Sequence, residues 1–211
     1  EVVVSPPTTQ AMLAAGASRV VADTCLPVKV FLGHVLSLVD KCDMVFIPAI
    51  RSVENKVYNC SKFLGLPDMT RAVLPEAPPI LEIDIDINKG KGELYREIDK
   101  LGRHFTKSSL RISQARQAAW QAHLNYREIM SGNSLTPPEA IEHLSGTTGE
   151  KPGVNTSPLA PAFIPKPLAE VKATIALVGH PYLLNDEYIN HRLVHRLEQQ
   201  GNRVLTPEMV T

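Results

Sequence analysis

Apolar positions recur along this chain with two periods, and the changes of period mark its elements. Residues 2–5 are a short apolar run closed by Pro6-Pro7, which predicts a buried strand. A small helix is expected over 8–15, ending at Gly16, and Val20-Val21 reads as a second short strand. From Pro27 to about Lys41, the residues Phe31, Val35, Leu38 and Val39 form a stripe at helical spacing, with the proline suited to the first turn. Residues 44–47 then predict a buried strand stopped by Pro48. Strand, helix and strand in that order imply a parallel sheet.

Further along, residues 80–87 alternate strictly. Leu81, Ile83, Ile85 and Ile87 take one face, and Glu82, Asp84 and Asp86 take the other, as on a half-exposed strand. Helices are expected over 92–107 and 110–130, and a third opens at Thr136 or Pro137. Residues 146–167 are dense in proline and have no period, which predicts a linker or a surface strap. After them come a strand over 173–178, a helix over 186–200 ending at Gly201, and a strand over 203–206. The chain therefore divides into a first α/β lobe with a helical segment over 1–145, a proline-rich linker over 146–170 and one βαβ unit over 171–211.

Composition narrows the function. The 211 residues are 44% hydrophobic and 21% charged, with zero formal net charge. Such a chain is long enough to bury a core and has no basic excess for nucleic acid or an anionic membrane surface. No apolar run reaches the roughly 20 residues of a membrane helix, and the start has no signal-peptide pattern. The chain lacks an initiator Met and begins within an expected strand, so a piece of a longer protein is expected. Three cysteines, Cys25, Cys42 and Cys60, are too few and odd in number for a disulfide framework, which favours the cytoplasm.

Two cysteines stand where chemistry is expected. Cys25 lies just before the helix that starts near Pro27, and helix N-termini favour the thiolate form that a metal needs. Cys60 lies in the loop after the 44–48 strand, beyond the carboxyl edge where open α/β sheets place their sites. The bland alternative is two inert free thiols, and Cys42, at a helix-to-strand junction, fits that alternative better. Gly179-His180-Pro181-Tyr182 directly follows a strand and is the second place for a ligand, or else a tight turn. His191 and His195 are four apart, with no third ligand evident, and read as a solvated helix face. No phosphate loop and no nucleophile elbow is present.

The run from Cys25 through Pro27, Lys29, Gly33 and His34 to Val35 resembles the Cys-x-Pro-x-Lys-x-x-x-Gly-His-Val motif of activase-related proteins in the 2-hydroxyacyl-CoA dehydratase and benzoyl-CoA reductase family. Tyr58-Asn59-Cys60, Gly65-Leu66-Pro67 and Gly179-His180-Pro181-Tyr182 follow in the family's order. The resemblance implies Rossmann-like parallel-sheet lobes, here a first lobe with a helical extension and the start or part of a second. It also implies a [4Fe-4S] cluster with Cys25 and Cys60 as ligands, and a cofactor-facing role for Gly179, His180 and Tyr182. Lys29 and His34 sit within the motif as weak catalytic candidates. The sequence departs from the family at the third ligand, since no cysteine follows Cys60. The expected partners are an acyl-CoA substrate and a partner subunit or separate activator ATPase. The rival reading is a metal-free scaffold or binding lobe that docks another subunit.

Overall fold

The structure is a computed structural model that describes residues 1–147 and 171–209. It is mixed α/β and separates into two compact units. One unit is Ala11–Gln121, and the other joins Glu1–Gln10 to Ala122–Thr211. Beyond Thr147, the expected proline-rich linker lies outside the described residues.

The Ala11–Gln121 unit is built on two parallel strands, β1 (Val45–Ser52) and β2 (Ile80–Asp86), with Val45 opposite Ile80 and Ile50 opposite Ile85. Helices α1 (Gln10–Ala17) and α2 (Leu26–Ser37) precede the sheet, and α3 (Ser61–Leu64) and α4 (Leu66–Val73) make the crossover. Of the stripe expected on α2, only Val35 is fully buried; Phe31 is half-buried, and Leu38 and Val39 lie past the helix end, while Val28 and Leu32 join Val35 against Val45 and Ile47 of β1 and against Leu66 and Leu74. Leu32 and Ile47 are wholly buried, so this is where burial stabilises the unit most, by about 2 kcal/mol for each side chain. On β2 the alternation holds over 81–83, where Leu81 and Ile83 are buried and Glu82 is exposed, but Asp84, Ile85 and Asp86 are half-buried alike and Ile87 is exposed in the turn that follows. Helix α5 (Lys91–Arg103) packs on β2.

Two glycines set the α1–α2 contact. A Cβ on Gly33 would meet the Met12 carbonyl oxygen at 2.1 Å, and one on Gly16 would meet the Lys29 carbonyl oxygen at 1.9 Å. The two backbones therefore touch, and only hydrogen side chains fit between them. Gly16, expected as the end of a helix, is the penultimate residue of α1.

Several local expectations change in three dimensions. Residues 2–5 form no strand, and Val2, Val3 and Val4 are exposed. Val20-Val21 lies in the loop between α1 and α2. Valine-rich runs have strand propensity, but a strand exists only where a neighbour supplies a ladder. Pro48 does not stop β1, which runs on to Ser52. β1 belongs to a two-stranded sheet, and at an edge strand a missing N–H need cost no ladder bond.

In the other unit, the later part of α6 (Ser109–Asn133) and α7 (Pro137–Thr147) bury Met130, Leu135 and Ala140 together. At the start of α7 the Thr136 backbone N–H and hydroxyl both donate to the Glu139 carboxylate, at 2.7 and 2.6 Å, which is one half of a capping box. The βαβ unit is present: β3 (Thr174–Ala176) and β4 (Arg203–Leu205) pair in parallel. The single helix expected over 186–200 is instead α8 (Pro181–Asn185) followed by α9 (Leu193–Gln199). Asp186 accepts the Ile189 N–H in a turn, and His191 and Arg192 adopt left-handed backbone at φ 55° and 59°, which no continuous helix allows.

Candidate functional site

Cys25 is the N-cap of α2 and Cys60 the N-cap of α3. Their backbones are nearly the same: φ −62° and ψ 149° at Cys25, φ −64° and ψ 154° at Cys60. Neither side chain makes a capping hydrogen bond, both thiols are exposed, and both belong to the Ala11–Gln121 unit. Each sulfur is thus presented at the start of a helix without being used by it. Cys42 differs: it is half-buried, and its thiol donates to the Leu38 carbonyl at 3.6 Å, as expected of a structural cysteine.

The loop before Cys60 is fastened to the end of β1. The Asn59 N–H donates to the Arg51 carbonyl at 2.8 Å, and Asn59 Nδ2 donates to the Ile50 carbonyl at 2.9 Å. Cys60 therefore follows directly on the carboxyl end of the strand. Arg51 is fixed in turn by Asp84, at 2.6 Å from Nε to Oδ1, and Lys89 Nζ lies 3.5 Å from the other oxygen of the same carboxylate. These pairs are half-exposed, so each stabilises by no more than about 1 kcal/mol. Their effect is to tie the carboxyl ends of β1 and β2 to each other and to the turn at Lys89.

Lys29 does not project freely. Its Nζ donates to the Ala22 carbonyl at 2.7 Å, across the loop that leads into Cys25. His34 is half-buried on α2, and its carbonyl accepts the Ser37 hydroxyl. In the other unit, His180 is the N-cap of α8, and its ring stacks on Tyr182 with centroids 5.8 Å apart and planes 13° apart. Gly179 adopts no left-handed backbone, and a Cβ there would meet Leu184 at an ordinary 3.6 Å, so a side chain is sterically acceptable at that position. The Asp186 carboxylate accepts the Thr8 hydroxyl and the Ile189 N–H. His191 lies outside α9, so the helical spacing to His195 is not realised, and the His195 ring contacts Gln199.

Sequence reading missed Asn59, Arg51 and Lys89, and it took Asp84 for plain strand polarity. The alternation on β2 did mark Asp84 as outward-facing. Only the β1–β2 register brings Arg51 onto it, across 33 residues of chain. Among the described residues, no group of three or more His, Cys, Asp or Glu is arranged to hold a metal ion, and no helix is long and apolar enough to cross a membrane.

The molecule is thus an α/β protein with parallel βαβ units and two exposed cysteine N-caps. The chain belongs to the family described as CoA enzyme activase uncharacterised domain (DUF2229), whose model matches residues 1–210. That agrees with the activase-related resemblance of its motifs. No curated protein and no solved structure matches it.

Proposed function

We propose that this chain is part of an iron–sulfur protein related to 2-hydroxyacyl-CoA dehydratases, in which Cys25 and Cys60 are two ligands of a [4Fe-4S] cluster. The observation that carries this reading is the pair of exposed thiols in one N-cap geometry, neither consumed by a capping bond. The donor set fits in kind, since such clusters take thiolates, and falls short in number, since two ligands do not hold a cluster firmly. The remaining ligands come from a partner or from further parts of a longer protein. When bound, the cluster supplies one-electron transfer to a CoA thioester and a Lewis-acid site for a departing hydroxyl. This chain's own part is to present the two sulfurs and to fix their loops by Lys29, Asn59 and the Arg51–Asp84–Lys89 group. Gly179, His180 and Tyr182 are proposed only as a ligand-facing turn of their own unit, where the His180 and Tyr182 rings stack. The free thiols suit a reducing cytoplasm, and the activator ATPase is a separate protein or domain.

The second reading is a metal-free binding lobe. It is favoured by exposed Val53, Val57 and Tyr58, which place apolar surface in the segment just before Cys60. Anaerobic reconstitution with iron and sulfide decides between them. The wild-type longest chain should incorporate iron and sulfide and show an EPR signal on reduction, and Cys25→Ala and Cys60→Ala should each lose it. A wild-type chain that takes up no cluster leaves the binding-lobe reading standing.

A further inference from the structure

Lys29 stands in the first turn of α2, where the helix dipole disfavours a cation and where acidic side chains are absent. Its position therefore needs another cause. The Nζ reaches back across the helix start to the Ala22 carbonyl at 2.7 Å and closes the loop 22–25, within which Thr24 is buried and its N–H donates to the Val21 carbonyl. Asn59 makes the corresponding bond for the other cysteine, with Nδ2 on the Ile50 carbonyl at 2.9 Å. In both cases one side-chain nitrogen binds one backbone carbonyl, and the cysteine that follows is extended, exposed and uncapped.

We infer that Lys29 and Asn59 are positioning residues, each holding the loop that presents one cysteine: Lys29 holds Cys25, and Asn59 holds Cys60. Lys29 then acts through a hydrogen bond to the backbone and not as a free charge facing a ligand. The inference rests on the cysteines being the working groups, but the clamps themselves are tested without a cluster. A hydrogen bond of ordinary strength changes the ratio of held to released loop by about fivefold. The held loop keeps its thiol exposed, and a released loop presents that thiol for a smaller fraction of the time, which slows its alkylation.

The experiment is residue-resolved alkylation by iodoacetamide under reducing, native conditions, read by mass spectrometry for Cys25 and Cys60 in the same molecule. Asn59→Ala should slow Cys60 by at least threefold and leave Cys25 unchanged. Lys29→Met should do the reverse, and Lys29→Arg, which keeps a donor of similar reach, should restore the wild-type rate. High salt removes the contribution of the lost charge, and the Lys29→Met effect should persist there. Each cysteine is the internal control for folding, since general loosening moves both rates together. Joint movement, or no movement in either variant, overturns the inference. Selective slowing together with a wild-type chain that binds no cluster would leave the clamps standing and remove only the iron–sulfur reading. Cluster uptake by wild type without selective slowing would do the opposite.

Discussion

Gly33→Ala tests the packing that supports the Cys25 helix. Gly33 is inside α2, where Ala has the better helix propensity by about 1 kcal/mol. Propensity alone therefore predicts stabilisation. Packing predicts the reverse, because the new Cβ would stand 2.1 Å from the Met12 carbonyl oxygen and 2.7 Å from its carbon. Both atoms are backbone, so no rotamer change relieves the contact, and the helices must part by about 1 Å to reach ordinary separation. Overpacking of this kind costs about 1–3 kcal/mol, and backbone against backbone belongs at the upper end. The net expectation is a loss of about 2 kcal/mol, equivalent to roughly 4–8 °C in Tm for a chain of this size. The control is Gly132→Ala on α6, where a Cβ meets nothing within 4 Å and propensity acts alone. Thermal and urea unfolding by far-UV circular dichroism should place Gly33→Ala below wild type and Gly132→Ala at or slightly above it. Gly16→Ala should resemble Gly33→Ala, and the double variant should cost less than the sum, because both act on one crossing. A Gly33→Ala protein as stable as wild type would refute the close α1–α2 contact.

Three further outcomes follow from single features. Leu32→Ala empties a wholly buried position in the Ala11–Gln121 core and should cost about 2–5 kcal/mol, read as a lower urea midpoint. Thr136→Ala removes the hydroxyl bond to Glu139 at the start of α7, keeps the backbone N–H bond to the same carboxylate, and should cost about 0.5–1.5 kcal/mol, seen as faster amide exchange in the first turn of α7 while α2 is unchanged. Burial, then the Glu208 carboxylate, push the Tyr126 hydroxyl above its ordinary value of 10.0. A raised folded pKa gives stability that is whole below the unfolded value and is lost as pH rises through the folded one. Tyr126→Phe should therefore flatten the stability loss above about pH 10 and leave the neutral range alone, which urea midpoints measured across alkaline pH would show.

The sequence by itself determined what depends on neighbours a few residues apart. The helix behind Pro27, the strand over 80–86 with its alternation at 81–83, the Thr136 helix start and the parallel βαβ order could be read from spacing, because helical and strand periods are local properties. The position of Cys25 just before a helix was legible for the same reason, whereas Cys60 was placed only in the loop after a strand and the helix behind it was not expected. What needs a partner distant in the chain was not legible. Residues 2–4 have the composition of a strand and lack a ladder, and Pro48 continues a strand because its neighbour lies on one side. The helix over 186–200 is interrupted by the Asp186 turn and the left-handed backbone at His191 and Arg192. Asn59, Arg51 and Lys89 became part of the site only when the β1–β2 register set their partners. Lys29 stood only as a weak catalytic candidate until tertiary geometry placed the Ala22 carbonyl in its reach. Periodicity fixes which face of an element is apolar, and long-range packing alone decides which backbone carbonyl a side-chain nitrogen will meet.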